Sequence, residues 1–246
     1  MTVAIVLAGG EGKRSGAAEP KQFVSVLGKP VIAYTLEVLE NYAGIDAIEI
    51  VHHKDYAKRI QEIISDYSIS KAKWLVPGGG TFQESAANGV SFLRDKLAED
   101  DIVMLTFAVS PMVSEGILDD AIETCKRYGN AIPTDEMIMC TCVRDADGLG
   151  TTQGISRESL GGFNGPWVFK YWLVRSLYER AVKDGILDQI EPHTTSIALH
   201  YGIKLYFSKS QTTNIKITRP EDFDMFEGLL LVQERRRRGR KIGDPL

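Results

Sequence analysis

The sequence predicts an α/β fold built on a doubly wound, mostly parallel sheet, and three observations carry that reading. Short apolar runs alternate with longer amphipathic segments through the first half of the chain. The first run, residues 3–8, passes directly into a glycine-rich loop, Gly9-Gly10-Glu11-Gly12-Lys13-Arg14-Ser15-Gly16. Two later runs end in loops of the same small-residue kind, at 78–80 and 106–111. In an open parallel sheet such loops gather at the carboxyl ends of the strands, where ligands bind.

Strands are expected at residues 3–8, 47–52, 73–76 and 102–107, with helices at 31–42, 56–67 and 83–97 between them. In the first helix Val31, Ile32, Thr35, Leu36, Val38 and Leu39 form a stripe at helical spacing, with Glu37 and Glu40 outside it. Residues 135–165 break the rhythm. They are rich in Thr, Gly, Asp and Arg and read as an extended arm projecting from the domain. Pro166 then precedes an expected helix over 168–183, stopped by Gly185. A short helix at about 193–201 and strands at 203–207 and 214–217 follow. Thr218-Arg219-Pro220-Glu221 has the form of a capping box and opens a last helix through about residue 234. The organisation is one domain over 1–232, with 135–165 as its arm and a basic tail at 233–246.

With 246 residues, 43% hydrophobic and 25% charged, the chain can bury a sizeable core. A net charge of −4 argues against general nucleic-acid binding, which needs a basic face. Cys125, Cys140 and Cys142 make neither a disulfide framework nor a four-ligand metal spacing; alternating along a strand, the last two would face one side as reduced thiols. A strand starting at residue 3 leaves no room for a signal peptide, and no apolar run approaches membrane-spanning length. A cytoplasmic protein without membrane or nucleic-acid partners is expected. His52-His53 is a weak metal candidate, because adjacent strand residues point to opposite faces. The aromatic residues Trp167, Phe169, Tyr171 and Trp172 are read as packing at the start of a helix.

The chemistry centres on the first loop. Glycines let backbone N–H groups approach a ligand closely, and Arg14 and Lys21 add positive charge beside them, a combination suited to a polyphosphate. Gly10-x-Gly12-x-x-Ser15 nearly satisfies a dinucleotide fingerprint but lacks its third glycine, and a Walker pattern is absent.

The run Leu7-Ala8-Gly9-Gly10-Glu11-Gly12-Lys13-Arg14-Ser15-Gly16, with Pro20-Lys21-Gln22-Phe23 and Gly28-Lys29-Pro30-Val31, resembles the opening of the polyol-phosphate cytidylyltransferases. That group includes the methylerythritol-phosphate and ribitol-phosphate enzymes. Further matches follow in order: Gly78-Gly79 with Ser85 and Asn88-Gly89, Ala108 and Pro111, Arg157, and Asn214-Ile215-Lys216-Ile217-Thr218 with Pro220 and Asp222. The resemblance reaches about residue 232 and is most specific at its two ends. It implies a Rossmann-like fold of the nucleotidyltransferase type, and a reaction joining CTP to a polyol phosphate with release of pyrophosphate. Of the two branches, the motifs lie closer to the ribitol-phosphate one. By resemblance, Ala8, Gly9, Gly10 and Gly12 cradle the triphosphate, and Arg14 and Lys21 neutralise it. Gly79, Gly80 and Ser85, with Ala108, belong to the nucleotide site, and Lys216 meets the α-phosphate. Arg157 and Thr218 belong to the polyol-phosphate site, Arg157 reaching it from the neighbouring subunit of a homodimer formed through the arm.

The departures from the family pattern are equally specific. Its His-Asp-Ala-x-Arg-Pro element stands here as Thr106-Phe107-Ala108-Val109-Ser110-Pro111. Its arginine after the two glycines is Phe82, and its threonine–aspartate–glutamate segment is His193-Thr194-Thr195. The family implies Mg²⁺, held in part by two aspartates whose positions are Phe107 and Thr194. Mg²⁺ requires hard oxygen ligands, which Phe107 lacks and Thr194 offers only as a neutral hydroxyl. Two readings therefore stand: a CTP-dependent cytidylyltransferase, or a catalytically impaired homologue that binds nucleotide or a partner without turnover.

Overall fold

In the computed structural model, which describes residues 1–10 and 19–239, the sheet grows outward from its first strand. That strand, β1 (Thr2–Ala8), is followed by a small ribbon of β2 (Ser25–Val26) and β3 (Lys29–Pro30) and by helix α1 (Val31–Asn41). The units β4 (Ala47–His52), α2 (Ala57–Asp66), β5 (Ala72–Pro77), α3 (Phe82–Phe92) and β6 (Ile102–Phe107) continue the alternation. β1 pairs in parallel with β4 on one side and β6 on the other, and β4 pairs in parallel with β5. The predicted doubly wound core is therefore present, with all four expected strands in place.

The side chains explain why these segments are strands. Every residue of β4 and of β6 is buried, as expected where helices cover both faces of a parallel sheet. Along β1 the alternation divides the core in two. Val3 and Ile5 join Val90, Leu93 and Val174 on one face, whereas Ala4 and Val6 join Ile32, Ile60 and Ile117 on the other.

Beyond β6, helix α4 (Glu115–Tyr128) and strand β7 (Asn130–Glu136) extend the fold; neither was expected. α4 buries Ile117, Leu118, Ala121, Ile122 and Cys125 and ends on Gly129, whose φ of 88° is the left-handed conformation open to glycine. Burial pushes the Cys125 thiol up to about 12, so this cysteine is inert packing.

Between residues 137 and 160 the chain forms a separate antiparallel pair, β8 (Thr141–Val143) with β9 (Gln153–Ile155). Cys142 lies on β8 whereas Cys140 precedes it, and both are exposed, so the two do not alternate along one strand. β10 (Gly161–Phe163) then returns to pair with β7.

The expected helix over 168–183 is corrected at its start. Trp167–Lys170 forms strand β11, inserted antiparallel between β6 and β7, and helix α5 runs from Tyr171 to Asp184. Trp167, Val168 and Phe169 are all buried in the sheet, and this pairing outweighs the helical spacing that continues into α5. Gly185 stops the helix with φ 67°, as expected.

α6 (Thr194–His200) matches the short helix. Of the expected strand at 203–207, only Phe207–Ser208 forms β12, beside β7. Upstream of it the Asn130 side chain binds the chain instead, donating to Lys204 O (3.0 Å) and accepting from Tyr206 N (2.9 Å). Residues 214–217 form no strand; Ile217 N donates to Val109 O (2.9 Å) without a continuing ladder. Helix α7 (Pro220–Arg237) is capped one residue later than predicted, with Arg219 as N-cap. The Asp222 carboxylate accepts from Thr218 N (2.6 Å) and Arg219 N (2.8 Å), the role assigned in sequence to Glu221. Among the described residues no helix is long and apolar enough to cross a membrane.

Candidate active site

The parallel register brings four strand ends level. Ala8 pairs with His52, His52 with Pro77, and Leu7 with Phe107. The loops leaving these ends therefore open into one cleft of about 600 Å³ at the carboxyl edge of the sheet. From the expected set it is lined by Ala8, Gly9, Gly10 and Lys21, by Gly79, Gly80 and Ser85, and by Ala108, Lys216 and Thr218. Gly12 and Arg14 lie outside the described residues.

The first wall is built around Lys21 and Gln22. A 3-10 turn over Lys21–Phe23 buries Gln22 and Phe23. Gln22, 2% exposed, donates from Nε2 to the carbonyls of Ala8 and Gly10, both at 3.1 Å. It fixes how the chain leaves β1. Gln22 is a site-building residue beyond the expected set, and its signal in the sequence is slight: one amide between a lysine and a phenylalanine. Lys21 Nζ donates to Ile217 O at 2.9 Å, tying the opening of the chain to the segment before α7.

The second wall is the turn into α3. Thr81 and Glu84 form a reciprocal capping box. Ser85 Oγ accepts from Gly79 N (3.1 Å) and donates to Thr81 O (2.8 Å), while Gly80 N donates to Glu84 Oε2 (2.6 Å). Gly79 and Gly80 thus present a rigid turn whose own N–H groups are already bonded. A Cβ on Gly79 would lie 2.3 Å from Glu84 Cβ, so the turn closes this tightly only with glycine there.

The floor is aromatic. Phe107, at the end of β6, meets Trp167 edge-on with centroids 5.4 Å apart, and Phe82 packs against both at 5.8 and 6.2 Å. His193 closes the group, 5.6 Å from Trp167 and 6.1 Å from Phe82. Burial and then the nearby Lys216 charge lower the His193 pKa, against a weaker pull from Glu191, which favours a neutral ring. Lys216 Nζ stands 3.3 Å above the Phe107 centroid.

These residues do not fit a Mg²⁺ ion held by the protein. At Phe107 an ammonium group already covers the ring. Thr194 is fully buried behind the cleft, its hydroxyl 2.7 Å from the Tyr178 hydroxyl. Among the described residues, the cleft lining carries no carboxylate. Among the described residues its lysines are Lys21 and Lys216.

Two further expectations are placed by the structure. Thr218 Oγ1 donates to Lys216 O at 3.0 Å, holding the strap that carries Lys216. Arg157 lies outside the cleft lining, in the 3-10 turn Arg157–Ser159, and donates to Ile138 O at 3.1 Å. His53 also lines the cleft, while His52 Nδ1 sits 2.9 Å from His53 O.

Comparison with known proteins places this geometry in context. The model of the family described as IspD, 2-C-methyl-D-erythritol 4-phosphate cytidylyltransferase, matches residues 2–231. A ribitol-5-phosphate cytidylyltransferase from Lacticaseibacillus paracasei is 36% identical over 237 residues, covering 95% of this chain and 100% of the relative. A 2-C-methyl-D-erythritol 4-phosphate cytidylyltransferase from Clostridium novyi is 32% identical over 228 residues, covering 92% and 95%. Among solved structures, a 4-diphosphocytidyl-2C-methyl-D-erythritol synthase from Anaerococcus prevotii superposes with a TM-score of 0.78 at 21% identity, covering 94% of this chain and 98% of that one. At that identity the match speaks for the fold.

Proposed function

The chain belongs to the 2-C-methyl-D-erythritol 4-phosphate cytidylyltransferase family, and from that premise we propose that it couples CTP to a polyol phosphate with release of pyrophosphate. The observation that carries the reading is the single cleft into which the loop after β1, the turn before α3 and the strap before α7 all open. Lys21 and Lys216 bring positive charge to it from opposite ends of the sequence. The reaction needs little beyond positioning and charge. A phosphate oxygen of the polyol phosphate attacks the α-phosphorus in line, a new P–O bond forms, and the bond to the β-phosphate oxygen breaks as pyrophosphate departs.

In this reading Ala8, Gly9 and Gly10, with Gly12 and Arg14, cradle the triphosphate, and Lys21 neutralises its departing end. Gly79, Gly80, Ser85 and Ala108 shape the nucleoside side, and Lys216 faces the α-phosphate. Thr218 borders the acceptor. Arg157 completes the polyol-phosphate site across a homodimer formed through residues 135–165; the exposed apolar side chains Ile138, Met139 and Leu149 in that segment support such a contact. The protein works in the cytoplasm.

Ribitol 5-phosphate is the acceptor the reading favours, on the 36% identity to the Lacticaseibacillus paracasei enzyme. Pyrophosphate release by the full chain, with CTP and either ribitol 5-phosphate or 2-C-methyl-D-erythritol 4-phosphate, tests it. The expected result is a kcat/KM at least tenfold higher with ribitol 5-phosphate. A preference for the branched acceptor would overturn the assignment.

A further inference from the structure

The contact between Lys216 and Phe107 is the least ordinary feature of the cleft. A lysine ammonium is strongly hydrated and sits on a flexible four-carbon stem, so at a cleft wall it samples many positions. Here it lies 3.3 Å above the centroid of a ring that is itself held in place. Trp167 meets that ring at 85°, Phe82 lies tilted at 33°, and Gly165 leaves its Cβ position about 4.0 Å from the ring edge. The backbone on the lysine side is equally constrained. Ile217 is fully buried, its N–H bonds Val109 O, and its carbonyl accepts from Lys21 Nζ. Asn214 donates to Gly165 O at 2.6 Å, joining the strap to the loop that passes Phe107. Ring and strap are therefore both held, in part by bonds between their own flanking segments, and meet at one ammonium group.

We propose that Phe107 is a positioning residue: its ring face holds the Lys216 ammonium at the cleft, so that the site presents a localised protein charge to the phosphate of a bound nucleotide. The proposal rests on the functional reading above and assigns Phe107 a part in it. A cation over an aromatic face is attracted by the ring quadrupole, most strongly when desolvated, and Phe107 is 9% exposed. An ammonium already localised loses less freedom when the phosphate arrives, which favours both binding and the charge-dense transition state. The same arrangement explains why a phenylalanine is productive at a position where the family resemblance implies an aspartate. A carboxylate there would engage the Lys216 charge directly, whereas a ring face attracts the ammonium through its quadrupole.

Two measurements on the full-length protein test this. The first needs no ligand: protons on the Lys216 ε-carbon, next to the ammonium that stands over the ring, should resonate upfield and are assigned by their loss in Lys216→Met. Phe107→Tyr should keep the shift and Phe107→Leu should abolish it. The second is a double-mutant cycle of Phe107→Leu and Lys216→Met, read as the CTP dissociation constant and as kcat/KM for pyrophosphate release. Phe107→Leu alone should weaken the site about five- to thirtyfold, the range expected of a partly desolvated cation–π contact. The same change in the Lys216→Met background should have no further effect, and Phe107→Tyr should restore most of the loss. An unshifted lysine resonance, or additive losses in the cycle, would overturn the proposal. Failure of the wild-type protein both to bind CTP and to release pyrophosphate would instead overturn the functional reading, with the upfield shift still reporting on the contact itself.

Discussion

Lys21 shows how much one side chain can link. Its ammonium lines the cleft and also donates to Ile217 O, 196 positions along the chain, so it contributes charge and holds the strap that carries Lys216. Lys21→Ala should lower kcat/KM by at least two decades, measured as pyrophosphate release, with only a small change in melting temperature; an unaffected rate would remove the triphosphate role. At this scale the sequence was legible for which residues would share one cleft, Arg157 being outside it and Gly12 and Arg14 outside the described residues. The cleft contains Ala8, Gly9, Gly10, Lys21, Gly79, Gly80, Ser85, Ala108, Lys216 and Thr218. What could not be read was partnership. Nothing local says that Gln22 will turn its amide to Ala8 and Gly10, or that Phe82, Phe107, Trp167 and His193 will form one aromatic floor, because those contacts join residues brought together only by the fold. Thr194, placed by resemblance at a metal position, lies buried against Tyr178 for the same reason.

Elements were legible in proportion to how local their causes are. The β1, β4 and β6 runs are continuous and apolar, and their expected and observed spans agree closely. Val168–Lys170 was read as the start of a helix because its spacing continues into α5; its identity as part of β11 comes from the slot between β6 and β7. Inside β4, Glu49 is an exception that has consequences. It is fully buried beneath α3, where a Cβ on Gly89 would stand 2.7 Å from Glu49 Oε1, and its carboxyl oxygens have no hydrogen-bond partner among the described residues. Burial raises its pKa to about 9, Lys96 opposing weakly. The folded protein therefore retains a proton that the unfolded chain releases above about 4.3. Folded stability attributable to this group falls as pH rises from there towards 9, and levels off beyond it. Glu49→Gln should gain stability relative to wild type progressively between pH 5 and pH 9, measured by denaturant unfolding. Parallel pH profiles for the two proteins would contradict this account of the buried carboxyl.

At the scale of the whole molecule, the topology is what turns scattered motifs into a site. Four parallel strand ends lie level, so the loops that leave them open into one cleft, joined there by the segment before α7, at the edge where doubly wound sheets bind ligands. The antiparallel insertion of β11 brings Trp167 beneath that cleft, and the strap before α7 closes it from above with Lys216. Family membership supports the coupling of CTP to a polyol phosphate, and in the proposed reading Lys21 and Lys216 organise the triphosphate for displacement at its α-phosphorus. Phosphorus-31 NMR of the full-length protein with CTP, Mg²⁺ and ribitol 5-phosphate tests this most directly. The account predicts loss of the CTP resonances and the joint appearance of free pyrophosphate and the two coupled phosphorus signals of a cytidine diphosphate polyol. CTP that persists unchanged, or that is hydrolysed without any polyol adduct, would contradict it.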